Sequence, residues 1–211
     1  MSLPKIGSET LVSPIEKNIK NLVNLILICY NIIKGIIMYI NLPHLDIMGY
    51  YQFITFRTYD SVDSYIQKIH TSNHIIKHKQ LLIDKYLDSS NKGCYLQDDA
   101  LKYMYDFLIS KDQIFYELVS FAIMPNHIHI LCKPLLQLDK MIKNIKGISA
   151  KEINSILDKS GKFWANEYFD RCIRDERHFE ITYRYIENNP TILSNKMQSK
   201  YRFWSTYQKN G

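Results

Sequence analysis

Cysteines and glycine-rich motifs are scarce in this sequence, and their scarcity excludes several classes of protein. The 211 residues include four cysteines, with no C-x-x-C pair among them: Cys29, Cys94, Cys132 and Cys172. Neither a disulfide framework nor a zinc ribbon is therefore indicated. The seven glycines form no Walker-type phosphate-binding loop, and no signal-peptide cleavage pattern follows the N-terminus. We expect a cytoplasmic protein with free thiols.

Acidic residues are fewer than basic ones. The 21 Asp and Glu against 27 Lys and Arg leave a formal net charge of +6, which favours a polyanionic partner such as DNA, RNA or an acidic lipid surface. Lys140, Lys143 and Lys146 recur every three residues, so on a helix they would form one basic stripe. The alternative is a solvated helix face without a partner.

The longest hydrophobic run lies at residues 21–40 and reads NLVNLILICYNIIKGIIMYI. Its length is close to that of a membrane span, but Asn24, Asn31 and Lys34 interrupt it and would be costly in hydrocarbon. We prefer an appended amphipathic helix, or a stretch upstream of a natural start at Met38, and we do not expect membrane association. Residues 1–40 are thus treated as an extension without assigned function, ahead of a domain at 41–211.

From about residue 50 onwards the sequence predicts a compact domain. Strands are predicted at about 50–59, 113–123 and 126–133. Helices are predicted at about 63–87, 98–109, 137–157 and 176–189, the last with Asp175 as N-cap. Residues 161–174 are interpreted as a connector of aromatic and charged side chains. This order favours an α+β fold in which an antiparallel sheet is flanked by helices.

Two histidines form the strongest local signal, within FAIMPNHIHIL. His127 and His129 are two residues apart on a predicted strand, so both imidazoles point to one face while Ile128 and Ile130 point to the other. Such a pair can chelate a metal ion. The alternative is two polar positions on a solvated strand face, because a motif this short has many false positives.

A second signal is YRYIENNP, at residues 183–190. Tyr185 and Asn189 are four residues apart on the predicted helix and therefore share a face. Tyr183 and Ile186 belong to a separate apolar stripe. A lone tyrosine in this position is ordinarily a packing or surface residue.

In combination these motifs resemble a known family. MPNHIHIL is similar to the HUH motif, two histidines around a hydrophobic residue. The segments KGISAKEIN, FWANEYFDRCIRDERHF and YRYIENNP follow in the order seen in REP-associated tyrosine transposases, which belong to the single-tyrosine HUH transposase superfamily. The segment NLPHLDIMGYYQFITFRTYDS resembles the opening strand of that family, and FWSTY its tail. The resemblance covers roughly residues 41–206.

The resemblance implies a ferredoxin/RRM-like HUH endonuclease fold and a set of site residues. His127 and His129 match the metal-binding histidines and Tyr185 the nucleophile. Asn189 matches the polar residue that completes the site for Mg²⁺ or Mn²⁺, although related transposases place glutamine there. In the connector, Arg171 and Arg174 are expected near DNA phosphate, together with the lysine stripe.

The function implied is that of a metal-dependent single-stranded DNA endonuclease and strand transferase, acting near hairpins through a 5′-phosphotyrosine. One alternative is a catalytically silent protein or regulator that binds hairpin DNA, which the basic residues would support equally. Another is a zinc hydrolase, which would need a third strong ligand that the residues after His129 do not provide. Whether the protein forms a homodimer, with Tyr185 serving a partner's site, is left open.

Overall fold

The structure is a computed structural model that describes residues 49–62, 64–72 and 76–207. The extension expected at residues 1–40 lies outside these ranges. Within them, no helix is both long and apolar enough to cross a membrane.

Strands and helices alternate along the described part of the chain. The strands are β1 (Gln52–Thr58), β2 (Tyr116–Ile123), β3 (His127–Pro134), β4 (Trp164–Cys172) and β5 (Phe203–Ser205). The helices are α1 (Ser64–Thr71), α2 (Ile76–Ser89), α3 (Asp98–Ser110), α4 (Leu138–Ile156) and α5 (Glu176–Asn188). Short 3-10 turns occupy residues 59–61, 189–192, 195–197 and 200–202.

The strands form one sheet, in the order β4-β1-β3-β2-β5, and all neighbours run antiparallel. β3 lies between β1 and β2, which is the arrangement of a split βαβ unit. The predicted α+β fold with an antiparallel sheet is therefore confirmed, and its first four strands have the ferredoxin-like order. The three-residue β5 extends the sheet beyond β2.

Different helices cover the two faces of the sheet. Because side chains alternate along a strand, Ile128 and Ile130 of β3 point into a large core shared with α3 and α4. Leu131 points to the other face, where it joins Phe53 of β1 and Ile186 of α5 in a second cluster. α4 and α5 consequently lie on opposite faces of the sheet. α1 and α2 share a small cluster of their own.

Two of the predicted boundaries were wrong. The helix expected at 63–87 is described as two helices. Ser72 closes the first, because its hydroxyl and its amide both donate to the carbonyl of Ile69, at 2.7 and 3.2 Å. The connector expected at 161–174 contains β4, which pairs with β1 over most of its length. Its sequence, WANEYFDRC, lacks the regular polar and apolar alternation by which a strand is predicted.

Candidate active site

The two histidines of β3 converge on one point. His127 and His129 are both 0% exposed, and their Nε2 atoms lie 3.1 Å apart. They share the sheet face that carries α5, since Ile128 between them belongs to the opposite core. The two-residue spacing therefore produces the paired imidazoles that the strand geometry predicts.

Asn126 determines which nitrogen of His127 carries the proton. Its Nδ2 donates to the carbonyls of Leu87, Ser90 and Lys92, at 3.0, 3.3 and 3.2 Å. Its Oδ1 therefore faces Nδ1 of His127, at 2.8 Å. Because an amide oxygen can only accept, Nδ1 of His127 is protonated and Nε2 keeps its lone pair. A histidine in this tautomer can bind a metal ion through Nε2.

Thr55 of β1 holds the second ring. It is the cross-strand partner of His129, and its hydroxyl lies 2.8 Å from Nδ1 of that residue. The ring also stacks on Phe53, with 5.5 Å between centroids. A hydroxyl can donate or accept. His129 can therefore donate from Nε2 to His127, as the 3.1 Å contact requires, or change tautomer and present a lone pair to a metal ion.

Burial keeps both imidazoles neutral. Desolvation lowers the pKa of His129 to about 3. It also lowers the pKa of His127 well below its usual value, with smaller contributions from His129 and Arg57. Neutral imidazole is the form that binds metal ions, so the pair is ready to act as ligands at neutral pH.

Tyr185 of α5 lies against this pair. The helix begins at Asp175, whose side chain accepts from the amide of His178 at 2.7 Å, as the N-cap prediction stated. Its apolar residues pack on the sheet, which places the Tyr185 hydroxyl 3.5 Å from Nε2 of His129. The Tyr185 and His129 rings are 5.2 Å apart between centroids. A phenol and two imidazoles of the same chain thus meet in one site.

Residues 91–189, which include His127, His129, Tyr185 and Asn189, match the protein family described as Transposase IS200 like. The similarity to IS200-like transposases therefore covers just under half of the chain and includes all four of these residues. This match supports a DNA-processing enzyme, which the motifs predicted.

Comparison of folds finds further similarity. A structure described as a REP-associated tyrosine transposase bound to a REP hairpin is 16% identical, with 72% of each chain covered and a TM-score of 0.42. A protein described as a transposase from Deinococcus radiodurans R1 is 18% identical, with a TM-score of 0.37 over 71% of this chain and 97% of that one. No curated protein sequence matches the chain.

The site contains two carboxylates that the sequence did not indicate, both from α2. Asp84 is 5% exposed, and its Oδ2 accepts from the Tyr185 hydroxyl at 3.0 Å. Oδ1 of Asp88 lies 3.7 Å from Nε2 of His127. Gln80, Asp84 and Asp88 are spaced by four residues on the predicted helix. Polar residues at this spacing share one face of a helix, and that pattern was a signal that could have pointed to the two carboxylates.

The carboxylates and the phenol have perturbed acidities. Burial raises the pKa of Asp84 to about 7, opposed by the hydrogen bond from Tyr185. Burial also raises the pKa of Asp88, to about 6. The pKa of Tyr185 is raised well above its usual value by burial and then by the charge and hydrogen bond of Asp84. The Tyr185 hydroxyl is therefore protonated at neutral pH and must lose its proton to act as a nucleophile.

Asn189 offers an amide oxygen beside the phenol. It follows α5 with helical backbone angles, φ −57° and ψ −47°, so it lies one turn after Tyr185, and its side chain partly opposes the rise in the pKa of that phenol. It is 6% exposed, and its buried Oδ1 has no hydrogen-bond partner among the described residues. Such an oxygen calls for a ligand.

The donor set fits a divalent ion that keeps open positions. The described residues include no group of three His, Cys, Asp or Glu side chains arranged to hold a metal. Two imidazole nitrogens and an amide oxygen are donors that a divalent metal ion accepts, and so few protein ligands would leave coordination positions open.

The lysines of the predicted stripe have different surroundings. Lys140 and Lys143 are exposed on α4, which lies on the sheet face opposite Tyr185. Lys146 instead donates from Nζ to the carbonyls of residues 165, 166 and 167, at 3.0, 3.1 and 3.2 Å. Burial lowers its pKa to about 8. The stripe therefore presents two lysines to solvent, and the third ties α4 to β4.

The two arginines of the segment 161–174, which was expected to be a connector, lie nearer the histidine side of the sheet than the lysines of α4 do. Arg171 of β4 pairs with Phe53, whose side chain is on the α5 face, and burial lowers the pKa of Arg171. Arg174 is exposed just before α5.

Trp164 and Tyr168 have structural contacts, since the first donates to Ser149 at 2.9 Å and the second bonds to Asp139.

Proposed function

We propose that this protein is a transposase that cuts and rejoins single-stranded DNA near hairpins, with Tyr185 as nucleophile beside a divalent metal. The observation that carries the proposal is the 3.5 Å separation between the Tyr185 hydroxyl and Nε2 of His129. Both atoms belong to one chain, so the site needs no second copy to bring nucleophile and imidazoles together.

His127, His129 and Asn189 would hold the metal. When bound, Mg²⁺ or Mn²⁺ supplies charge stabilisation for the phosphate oxygens and the departing oxygen. Asn126 and Thr55 orient the two rings by hydrogen bonds to their Nδ1 atoms. Such bonds fix the tautomers of histidines that bind a metal through the other nitrogen.

In the reaction, the oxygen of Tyr185 attacks phosphorus and the bond between phosphorus and the 3′ oxygen breaks. The products are a 5′-phosphotyrosine and a free 3′-OH. Because the ester bond is conserved on the protein, the reverse reaction rejoins DNA without ATP. The absence of a Walker-type loop from the sequence agrees with this scheme.

Hairpin DNA is inferred as the substrate from the ordered motifs shared with REP-associated tyrosine transposases. Arg171, on the histidine face of the sheet, and the exposed Arg174 would contact phosphate near the cut. Lys140 and Lys143 would add backbone affinity on the opposite face of the sheet.

A catalytically silent hairpin-binding protein is the second candidate, and the closure of the site favours it. His127 and His129 are both completely buried, so a phosphodiester cannot reach them unless α2 or α5 moves. Cleavage therefore requires an opening of the site, whereas binding alone does not.

The deciding experiment is detection of a covalent adduct on a denaturing gel. Labelled hairpin DNA is incubated with Mn²⁺ and wild type, Tyr185→Phe or Tyr183→Phe. We expect an adduct with wild type and none with Tyr185→Phe, which should still bind the hairpin. Tyr183→Phe is the matched control, because its hydroxyl bonds to Ser205 and not to the histidines.

Two results would contradict the proposal. An adduct formed by Tyr185→Phe would remove Tyr185 from its role, and hairpin binding by wild type without any adduct would support the silent alternative.

His129→Ala should lose metal-stimulated cleavage, and unchanged stimulation in that variant would argue against the metal site.

A further inference from the structure

A buried carboxylate touches the proposed nucleophile. Oδ2 of Asp84 accepts the hydrogen bond from the Tyr185 hydroxyl at 3.0 Å. Oδ1 accepts from Nε2 of Gln80 at 2.6 Å. Since Gln80 lies one turn earlier on α2, it holds the carboxylate in a single orientation towards the phenol.

The turn that carries the histidines also holds α2. Nδ2 of Asn126 donates to the carbonyls of Leu87 and Ser90 at the end of that helix, while Oδ1 accepts from His127. The position of Asp84 relative to the imidazoles is therefore built by the same side chain that orients His127.

We propose that Asp84 accepts the proton of the Tyr185 hydroxyl during strand cleavage and that Gln80 positions it. This inference rests on the proposed function, because it assigns the base for that reaction.

Cleavage transfers the phenol proton and exchanges one phosphorus–oxygen bond for another. As the oxygen of Tyr185 bonds to phosphorus, its proton passes to Oδ2 of Asp84. The bond between phosphorus and the 3′ oxygen breaks, and its electron pair stays on that oxygen, which takes a proton from water. In rejoining, the 3′-OH gives its proton to water as its oxygen attacks phosphorus. The bond from phosphorus to the Tyr185 oxygen breaks, and the protonated Asp84 returns its proton to the leaving phenolate.

The other groups near the phenol are less suited to this role. Nε2 of His129 is farther from the hydroxyl, at 3.5 Å, and is needed as a metal ligand. Asp88 faces His127. Glu187 is exposed on another side of α5. The raised pKa of Asp84, about 7, also suits a base that works near neutral pH.

The test compares Asp84→Asn with Asp106→Asn in single-turnover adduct formation on hairpin DNA. Asparagine preserves the shape and one acceptor of Asp84 but cannot take a proton. We expect the rate to fall about 10²-fold or more, while hairpin affinity and Mn²⁺ affinity, measured by calorimetry, stay within about twofold. Asp106 pairs with exposed Lys102 on α3, and its variant should match wild type.

Two readouts separate proton transfer from a structural role. The wild-type rate should rise with pH and level off above about 7, and this step should be absent from Asp84→Asn and present in Asp84→Glu. In protein labelled with ¹³C-tyrosine, the Tyr185 resonance should shift in Asp84→Asn at neutral pH, because its hydroxyl then donates to an amide oxygen instead of a carboxyl oxygen. This second readout needs no activity, and it also applies to Gln80→Met if Asp84→Asn is poorly folded.

Several results would overturn the inference. Adduct formation by Asp84→Asn within about threefold of wild type would exclude Asp84 as the base. Loss of Mn²⁺ binding as large as that of His129→Ala would make it a metal ligand instead. An unchanged Tyr185 resonance would deny the contact itself. If wild type forms no adduct, the proposed function fails and this inference fails with it. A Tyr185-dependent adduct at equal rates in wild type and Asp84→Asn overturns this inference alone.

Discussion

At the scale of single residues, Asn126 has the widest effect on the candidate site. Its Nδ2 donates to three carbonyls at the end of α2 and in the loop that follows. Its Oδ1 accepts the hydrogen bond from Nδ1 of His127. It is 1% exposed, so each of these bonds is made in a poorly solvated environment, where an unpaired partner is costly.

Asn126→Ala should therefore weaken both metal binding and folding. Loss of the acceptor for His127 is expected to lower Mn²⁺ affinity about 10-fold or more. The carbonyls left without a donor should lower the free energy of unfolding by about 1–3 kcal/mol. Isothermal calorimetry and urea denaturation measure the two effects.

Asn154→Ala is the matched control for this prediction. Asn154 donates to the carbonyl of Gly161 at 2.9 Å, away from the histidines, so its variant should leave Mn²⁺ affinity unchanged. Equal Mn²⁺ affinity in Asn126→Ala and wild type would show that His127 does not depend on Asn126.

How far the site can be predicted depends on the sequence distance between its parts. His127 and His129 were predictable as a pair, because strand alternation acts over two residues. Tyr185 and Asn189 share a face through one helical turn. Asp84 could not be assigned in this way, because it meets Tyr185 across a separation of 101 residues. Only the tertiary fold, which brings α2 to the turn at Asn126 and to α5, creates that contact.

At the scale of elements, α4 shows that one basic stripe can have two roles. Lys143 is exposed, whereas Nζ of Lys146 donates to three carbonyls of β4. The three-residue spacing predicted the common side of the helix but not the neighbouring strand, since β4 itself was taken for a connector. The role of Lys146 became visible only with that strand.

The two lysines should respond differently to substitution. Lys143→Gln is expected to lower the slope of hairpin affinity against salt concentration by about 1, because one phosphate contact is lost. Lys146→Met is expected to lower the free energy of unfolding by about 1–3 kcal/mol, because it leaves carbonyls without a donor, with the salt slope unchanged. Binding titrations at several salt concentrations and urea denaturation would show this, and the reverse pattern would contradict it.

At the scale of the whole molecule, the sheet separates a large apolar core from a face that buries ionisable groups. The core against α3 and α4 is almost entirely hydrophobic. The other face encloses His127, His129, Asp84 and Arg57. The hydrophobic pattern was sufficient to predict the first, because it repeats along each element. The second is assembled from β1, β3, α2 and α5, which no local pattern joins.

This burial makes the stability of the protein depend on pH through Asp84. Its folded pKa is about 7, against about 3.9 in an unfolded chain. A group with a raised folded pKa contributes stability that is fully present below about pH 3.9 and is lost as pH rises through the folded value. Between these values the folded state holds a proton that the unfolded state has released. The contribution should therefore decrease by at most about 1.4 kcal/mol per pH unit.

Asp84→Asn removes this dependence, since an amide does not titrate. The free energy of unfolding of wild type minus that of Asp84→Asn should fall as pH rises from about 5 to about 7 and change little above that. Urea denaturation in the presence of EDTA at several pH values gives this difference. Asp106→Asn, at an exposed position on α3, should give a flat difference over the same range. If the difference in the free energy of unfolding for Asp84→Asn is also flat, or grows with pH, then Asp84 is already ionised in the folded protein. Burial would then not raise the pKa of Asp84, and the poorly solvated environment inferred beside Tyr185 would be wrong.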